Sequence, residues 1–167
     1  MLRHRACMND EPTRWSTFES AAPDLAASVL ARFQVTKHHV LATLRKDGAP
    51  RVSGTEVPLV EGDLYLGSMP GARKARDLQR DGRFALHSNP GDSSMDGGDA
   101  KLSGTAVEIV DQDEVARMGV LVGAPPGPFH LFLLSFDLVV LSELDQSHEG
   151  MVITSWRPGR GVLVEER

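Results

Sequence analysis

The stretch Gly67-Ser68-Met69-Pro70-Gly71-Ala72-Arg73-Lys74-Ala75-Arg76-Asp77-Leu78 holds the residues best placed to do chemistry. Pro70-Gly71 breaks the chain, and a helix is expected from about Ala72 to Gln79. A helix start carries roughly +0.5 charge and unpaired N–H groups, so it favours acidic side chains. Here the order is reversed: Arg73 and Lys74 fall in the first turn, with Asp77 and Asp81 toward the other end. The reversal suits an anion on which dipole, N–H groups and two cations converge. A solvated basic helix face with no ligand accounts for the same residues.

Arg51 is a second candidate. It opens a strand in which alternation aims Arg51 and Ser53 to one face and Val52 and Gly54 to the other. Gly54 within a strand marks either a close approach by a ligand or a bulge. Trp156 beside Arg157 either caps the core or forms a flat pocket wall with a charged rim. The histidines offer less. His38 and His39 are adjacent and point apart in a strand, and His87, His130 and His148 have no partners at ligand spacing, so no metal site is expected. No P-loop, nucleophile elbow or dinucleotide fingerprint occurs, and no catalytic residue can be assigned.

The elements that must hold these residues follow from periodicity and breakers. Residues 1–14 are polar and aperiodic and are expected to form a flexible tail, leaving 15–167 as one domain. Ala22-Pro23-Asp24 opens a helix with Leu25, Val29, Leu30 and Phe33 on one face. Val40 to Leu44 is a buried strand, turned by Lys46-Asp47-Gly48 into a strand from Arg51 to Leu59. Glu61-Gly62-Asp63 turns again into Leu64 to Gly67, giving a three-strand meander. After the basic helix come strands at 83–88 and 101–110, separated by a solvated loop at 89–99. A helix at about 112–121, a Gly/Pro break at 123–128, strands at 129–144 and 151–156 and a short apolar tail complete the chain. Many short strands with a few helices in one domain predict a closed or partly closed barrel.

Composition bounds the function. The 167 residues carry a net charge of −5, distributed as +1 over residues 1–44, +2 over 45–88 and −8 over 89–167. Such a chain is unsuited to nonspecific binding of nucleic acid or anionic membrane, and any bound anion should be small. One cysteine, Cys7, precludes an internal disulfide, and no apolar run reaches the length of a membrane span. A cytoplasmic protein is expected.

Several of these segments are familiar in combination. They are Val40 to Ser53 with its Arg-Lys-Asp-Gly turn, Leu64-Tyr65-Leu66-Gly67, Gly71-Ala72-Arg73-Lys74-Ala75-Arg76-Asp77-Leu78, and Asp81 to His87. In this order they resemble the pyridoxamine 5′-phosphate oxidase-like family, from about Phe33 to Trp156. The resemblance implies a mainly β fold with flanking helices, a split β-barrel that binds FMN or the deazaflavin F420, and a homodimer whose second subunit completes the pocket.

Position by position, it implies that Arg51, Val52, Ser53 and Gly54 lie along the cofactor ring, with Arg51 adding a basic group to the phosphate. Gly67 and Ser68 border the cofactor, Arg73 and Lys74 grip its phosphate, and Trp156 with Arg157 matches a pocket wall. Two departures stand out. Ala72 replaces a common Ser or Thr, leaving Ser68 to supply a hydroxyl, and the C-terminal Arg-x-His of vitamin B6 oxidases is missing. The resemblance therefore points to an oxidoreductase that uses FMN, or alternatively F420, on a small organic substrate. A flavin storage or sensing module and a cofactor-free dimeric scaffold are the other readings.

Overall fold

The structure, a computed structural model, describes residues 13–91 and 94–167. The expected tail therefore lies almost wholly outside the described residues, as do residues 92 and 93 of the 89–99 loop. In chain order the elements are α1 (Trp15–Ala21), α2 (Pro23–Gln34), β1 (His39–Leu44), β2 (Pro50–Thr55), β3 (Leu59–Val60), β4 (Asp63–Ser68) and α3 (Arg73–Arg80). Then follow β5 (Arg83–His87), β6 (Asp99–Ile109), α4 (Gln112–Leu121), β7 (His130–Leu144), β8 (Met151–Arg157) and β9 (Gly161–Glu166). All strand pairs are antiparallel, in one nine-stranded sheet of order β2-β1-β5-β6-β7-β4-β3, with β8 on β7 and β9 on β8.

Strand β7 explains the curled, unclosed shape. Its first residues pair with β4 and its last with β8, while β6 follows it along the other edge. The β6–β7 register shifts between Ser103 and Gly104, a bulge that bends the pair. A Cβ at Gly104 would collide with the Ser135 carbonyl, so only glycine fits that crossing. The result is the mainly β architecture with flanking helices expected of a split barrel.

Three sequence expectations change. The three-strand meander keeps its turns but not its middle strand: β2 ends at Thr55 rather than Leu59, the two-residue β3 makes the hairpin with β4, and β4 takes β7 as its other neighbour. Leu64 and Leu66 are buried in the main core and Tyr65 beneath α4, so β4 is covered on both faces and takes an inner position. Residues 15–21 form a helix, α1, that periodicity over so short a span does not signal. The apolar tail is strand β9, whose Val162, Leu163 and Val164 remain exposed and show no in–out alternation.

Helix α1 also settles Trp156. Trp15 and Phe18 are fully buried, and the Phe18 ring lies 4.9 Å from that of Trp156. Trp156 is 4% exposed and belongs to the core, the capping alternative, rather than to a pocket wall. Helix α3 lies across one end of the barrel, with Ala75 and Leu78 pointing into the core. Its side chains reach the end of β1 at Leu44, the start of β2 at Arg51 and the end of β6 at Glu108.

Candidate functional site

Ala72 is the N-cap of α3 and offers no side-chain hydrogen bond; the first turn carries no acid but holds Arg73 and Lys74. Two recesses flank this turn. One is a groove with Gly54 of β2, Gly67 and Ser68 of β4, and Ala72 and Lys74 on one side. Its other wall is the Gly/Pro segment after α4, including Pro125, Pro126 and Phe129. At the mouth, Glu56 pairs with Lys37 at 3.3 Å and His38 at 3.4 Å. The second recess is a basic cleft of Lys46, Arg51, Arg73, Arg76 and Arg80 around Asp77.

The groove is open where its glycines stand. Gly54 and Gly67 have no heavy atom within 4 Å of the position a Cβ would take, and neither has a positive φ. Backbone strain and internal packing therefore do not require glycine at either place. Their shared effect is a flat backbone floor that another group can approach closely. Beside it, the Ser68 Oγ is buried without a hydrogen-bond partner. An unpaired buried hydroxyl costs about 1–3 kcal/mol, so the chain retains here a donor it does not use internally. Lys74 Nζ donates to the Gly54 carbonyl at 2.8 Å, tying α3 to β2 across the groove. Burial pushes the Lys74 ammonium below its ordinary pKa, against a smaller upward pull from Glu56. An anion beside it would relieve that burial penalty.

The cleft is organised by Asp77, a buried carboxylate. It accepts from Arg51 Nε at 2.5 Å, from the Thr43 hydroxyl at 3.0 Å and from Arg80 at 3.2 Å. Burial opposes its ionisation, but the bonds from Arg51, Arg80 and Thr43 together outweigh that and hold its pKa below the ordinary carboxylate value. Arg51 thus faces α3 with Ser53 on the inner side of β2, while Val52 and Gly54 face out, as alternation predicts.

Of the ten candidate positions, Gly54, Gly67, Ser68 and Lys74 meet in the groove, and Arg51 and Arg73 meet in the cleft across the first turn of α3. Val52 and Ser53 lie on β2 between them. Trp156 and Arg157 are not brought to either recess; Arg157 reaches the Asp137 carbonyl at 3.4 Å. Sequence reasoning did not find the 122–129 wall, the Lys37-His38-Glu56 mouth or the anchoring role of Asp77. Only the last has a local signal, an acid three residues before Arg80 and four after Arg73 on the same helix. Among the described residues no three His, Cys, Asp or Glu side chains gather as a metal site.

A curled, unclosed antiparallel sheet with a basic helix start beside a groove has the architecture of a split barrel. A family profile for pyridoxamine 5′-phosphate oxidase matches residues 27–141, and the chain belongs to that family. Solved structures share the fold. PhzG from Burkholderia lata 383, in complex with tetrahydrophenazine-1-carboxylic acid, is 17% identical with a TM-score of 0.60, over 95% of this chain and 94% of that one. A pyridoxamine 5′-phosphate oxidase-related, FMN-binding protein from Nostoc punctiforme PCC 73102 is 14% identical with a TM-score of 0.62, over 87% and 95%. HutZ, the heme storage protein from Vibrio cholerae, is 19% identical with a TM-score of 0.52, over 70% and 89%. Comparison with curated proteins gives no match.

Proposed function

We propose that this protein is an oxidoreductase that holds FMN, or alternatively F420, across the first turn of α3. The observation that carries the reading is the pairing of an uncapped, cation-bearing helix start with the buried, unpartnered Ser68 hydroxyl at the groove. Arg73, Lys74 and the first-turn amides would hold the phosphate, with the Ser68 Oγ–H in place of the family hydroxyl missing at Ala72. Gly54 and Gly67 would let a flat ring lie against the strands, and the Pro125, Pro126 and Phe129 wall would keep water from its edge. The bound cofactor supplies the hydride chemistry; the chain supplies anchoring, orientation and exclusion of water.

Arg51 fits this reading indirectly. Its Nε is committed to Asp77, so it adds positive potential to the cleft from a fixed position. A second copy of the chain belongs to the same proposal. Val52 is 71% exposed on the outer sheet face beside Gly54, and Val40, Ala42, Leu138 and Val140 continue that apolar face. A homodimer packed there would complete the groove. Residues 15–167 would form its single domain, in the cytoplasm; no described helix is long and apolar enough to cross a membrane. A non-catalytic binding module is the second reading, supported by the heme storage neighbour.

Titration of the purified protein with FMN, F420 and hemin, followed by visible absorption, tests these readings together. The expected result is saturable binding of FMN or F420 and reduction of the bound cofactor by a nicotinamide or small organic donor. Saturable binding without turnover toward any donor or acceptor favours storage. Tight binding of hemin alone, or of none of the three, overturns the proposal.

A further inference from the structure

The sheet ends on β2, β3 and β9, each with a neighbour on one side only. Such an edge presents unpaired N–H and C=O groups on which another strand can add. Strands β2 and β3 are blunted: β2 opens on Pro50 and contains Gly54, and β3 is two residues long. Strand β9 is not. It runs six residues without proline or lysine, and Val162, Leu163 and Val164 are 49%, 59% and 56% exposed. Its charges, Glu165 and Glu166, stand together at one end.

The register of β9 decides what it can pair with. Met151 and Arg167 exchange both backbone bonds, and the β8–β9 register runs unshifted from there to Arg157 and Gly161. Bonded and non-bonded pairs alternate along an antiparallel ladder, so Gly161, Leu163, Glu165 and Arg167 turn their amides and carbonyls toward β8. Val162, Val164 and Glu166 turn theirs toward the free edge.

We propose that this edge pairs antiparallel with the same edge of a second copy, about a twofold axis at Leu163. Val162 of one copy then faces Val164 of the other and exchanges backbone bonds with it on both sides of the axis. Leu163 faces its own counterpart, and Arg160, in the turn before β9, faces Glu166. Among the described residues neither Arg160 nor Glu166 forms an ion pair. Other registers fit worse. An axis at Val164 sets Glu165 and Glu166 against Leu163 and Val162, and an axis at Val162 sets Leu163 against Gly161. Parallel pairing brings the carboxylates of the two copies together, a destabilising contact. The self-complementary contact joins two copies and leaves neither β9 edge free. It lies on the rim of the sheet, apart from the outer face around Val52 and Val140, and does not depend on the functional reading.

Cross-linking and sedimentation of the full chain test the pairing. In a Cys7→Ser background, Leu163→Cys places two thiols across a non-bonded pair with Cα atoms about 4.5 Å apart, inside the roughly 4.4–6.8 Å that a disulfide spans. Mild oxidation should convert most of that variant to a covalent dimer on a non-reducing gel. Glu165→Cys, about 13 Å along the strand from its counterpart, should stay uncrosslinked. No covalent dimer from Leu163→Cys, or equal yields from the two, overturns the proposal. In sedimentation at low salt, Glu166→Arg should weaken self-association roughly tenfold or more, and Arg160→Glu combined with Glu166→Arg should restore it. A monomeric unaltered chain, an unchanged single variant or a double variant that does not recover overturns the proposal as well. Where the single variant falls to dimers, the outer-face homodimer stands; where it falls to monomers, that homodimer is lost, and either fall upholds the edge pairing.

Discussion

Helices α3 and α4 begin in opposite ways. At α4, Asp111 caps the first turn, accepting from the amides of Asp113 and Glu114 at 3.0 Å each, and Asp113 and Glu114 add the acids a helix start favours. That terminus satisfies its own donors. At α3, Ala72 caps nothing, and Arg73 and Lys74 stand where acids would be stabilising. A missing cap alone is not distinctive, since α1 packs on the core with neither a side-chain cap nor a first-turn acid; the two cations in the first turn are what set α3 apart. Under the proposed function, α3 is the terminus that would face an outside anion, with the Ser68 hydroxyl and the glycine floor beside it.

Substitutions can break or sharpen this contrast. The largest effect is expected at Asp77. Asp77→Ala removes the carboxylate that holds Arg51, Arg80 and Thr43, and should cost about 3 kcal/mol in chemical denaturation, the lower end for a broken buried pair because Arg51 is partly exposed. Its pH dependence has a defined sign. The native carboxyl ionises below its ordinary value of about 3.9, so its stabilisation is complete above that pH and is lost as pH falls through the lowered native value. Asp77→Asn should flatten the acid limb of stability against pH; an unchanged limb would assign acid unfolding to other groups.

Lys74→Ala comes next. Loss of one charge-assisted phosphate contact should weaken FMN by about 1.5–3 kcal/mol, read from an absorption titration, and unchanged affinity would displace the site from α3. Asp111→Ala should cost about 1 kcal/mol of stability and leave FMN affinity alone, since α4 serves only packing. The smallest stability change belongs to Ala72→Asp, which gives α3 the cap α4 already has. It should raise the stability of the ligand-free chain by about 0.5–1 kcal/mol while weakening FMN, because its carboxylate takes the same amides and repels the phosphate. If stability and FMN affinity both rise, the contrast between the two helices carries no functional meaning.

The proposed phosphate-binding half of the site was legible as a cluster of residues because its signal is local. Charge order along one helix and alternation along β2 can be read without knowing what either packs against, and Arg73, Lys74, Arg51 and Gly54 were found that way. Trp156 was not legible, since both its fates agree with its sequence neighbours and only α1, a single short helix, decides between them. The wall at 122–129 reads as a break, and nothing in its composition says that it folds back over Gly54 and Gly67. Strand pairing was half legible at β4: the turn at 61–62 joins it to β3 as a hairpin signal predicts, whereas its other neighbour, β7, lies far along the chain and has no local signal. Asp77 showed the right residue in the wrong role, for its charge reversal also serves the fold by fixing Arg51.

The central claim is that the α3 start recognises a phosphate attached to a flat ring. Parallel titration with FMN and riboflavin, which differ only in that phosphate, tests it most directly. FMN should bind about a hundredfold or more tightly, the worth of two charge-assisted contacts, and Lys74→Ala should remove most of the difference. Equal affinities for the two flavins in the unaltered protein would contradict the account.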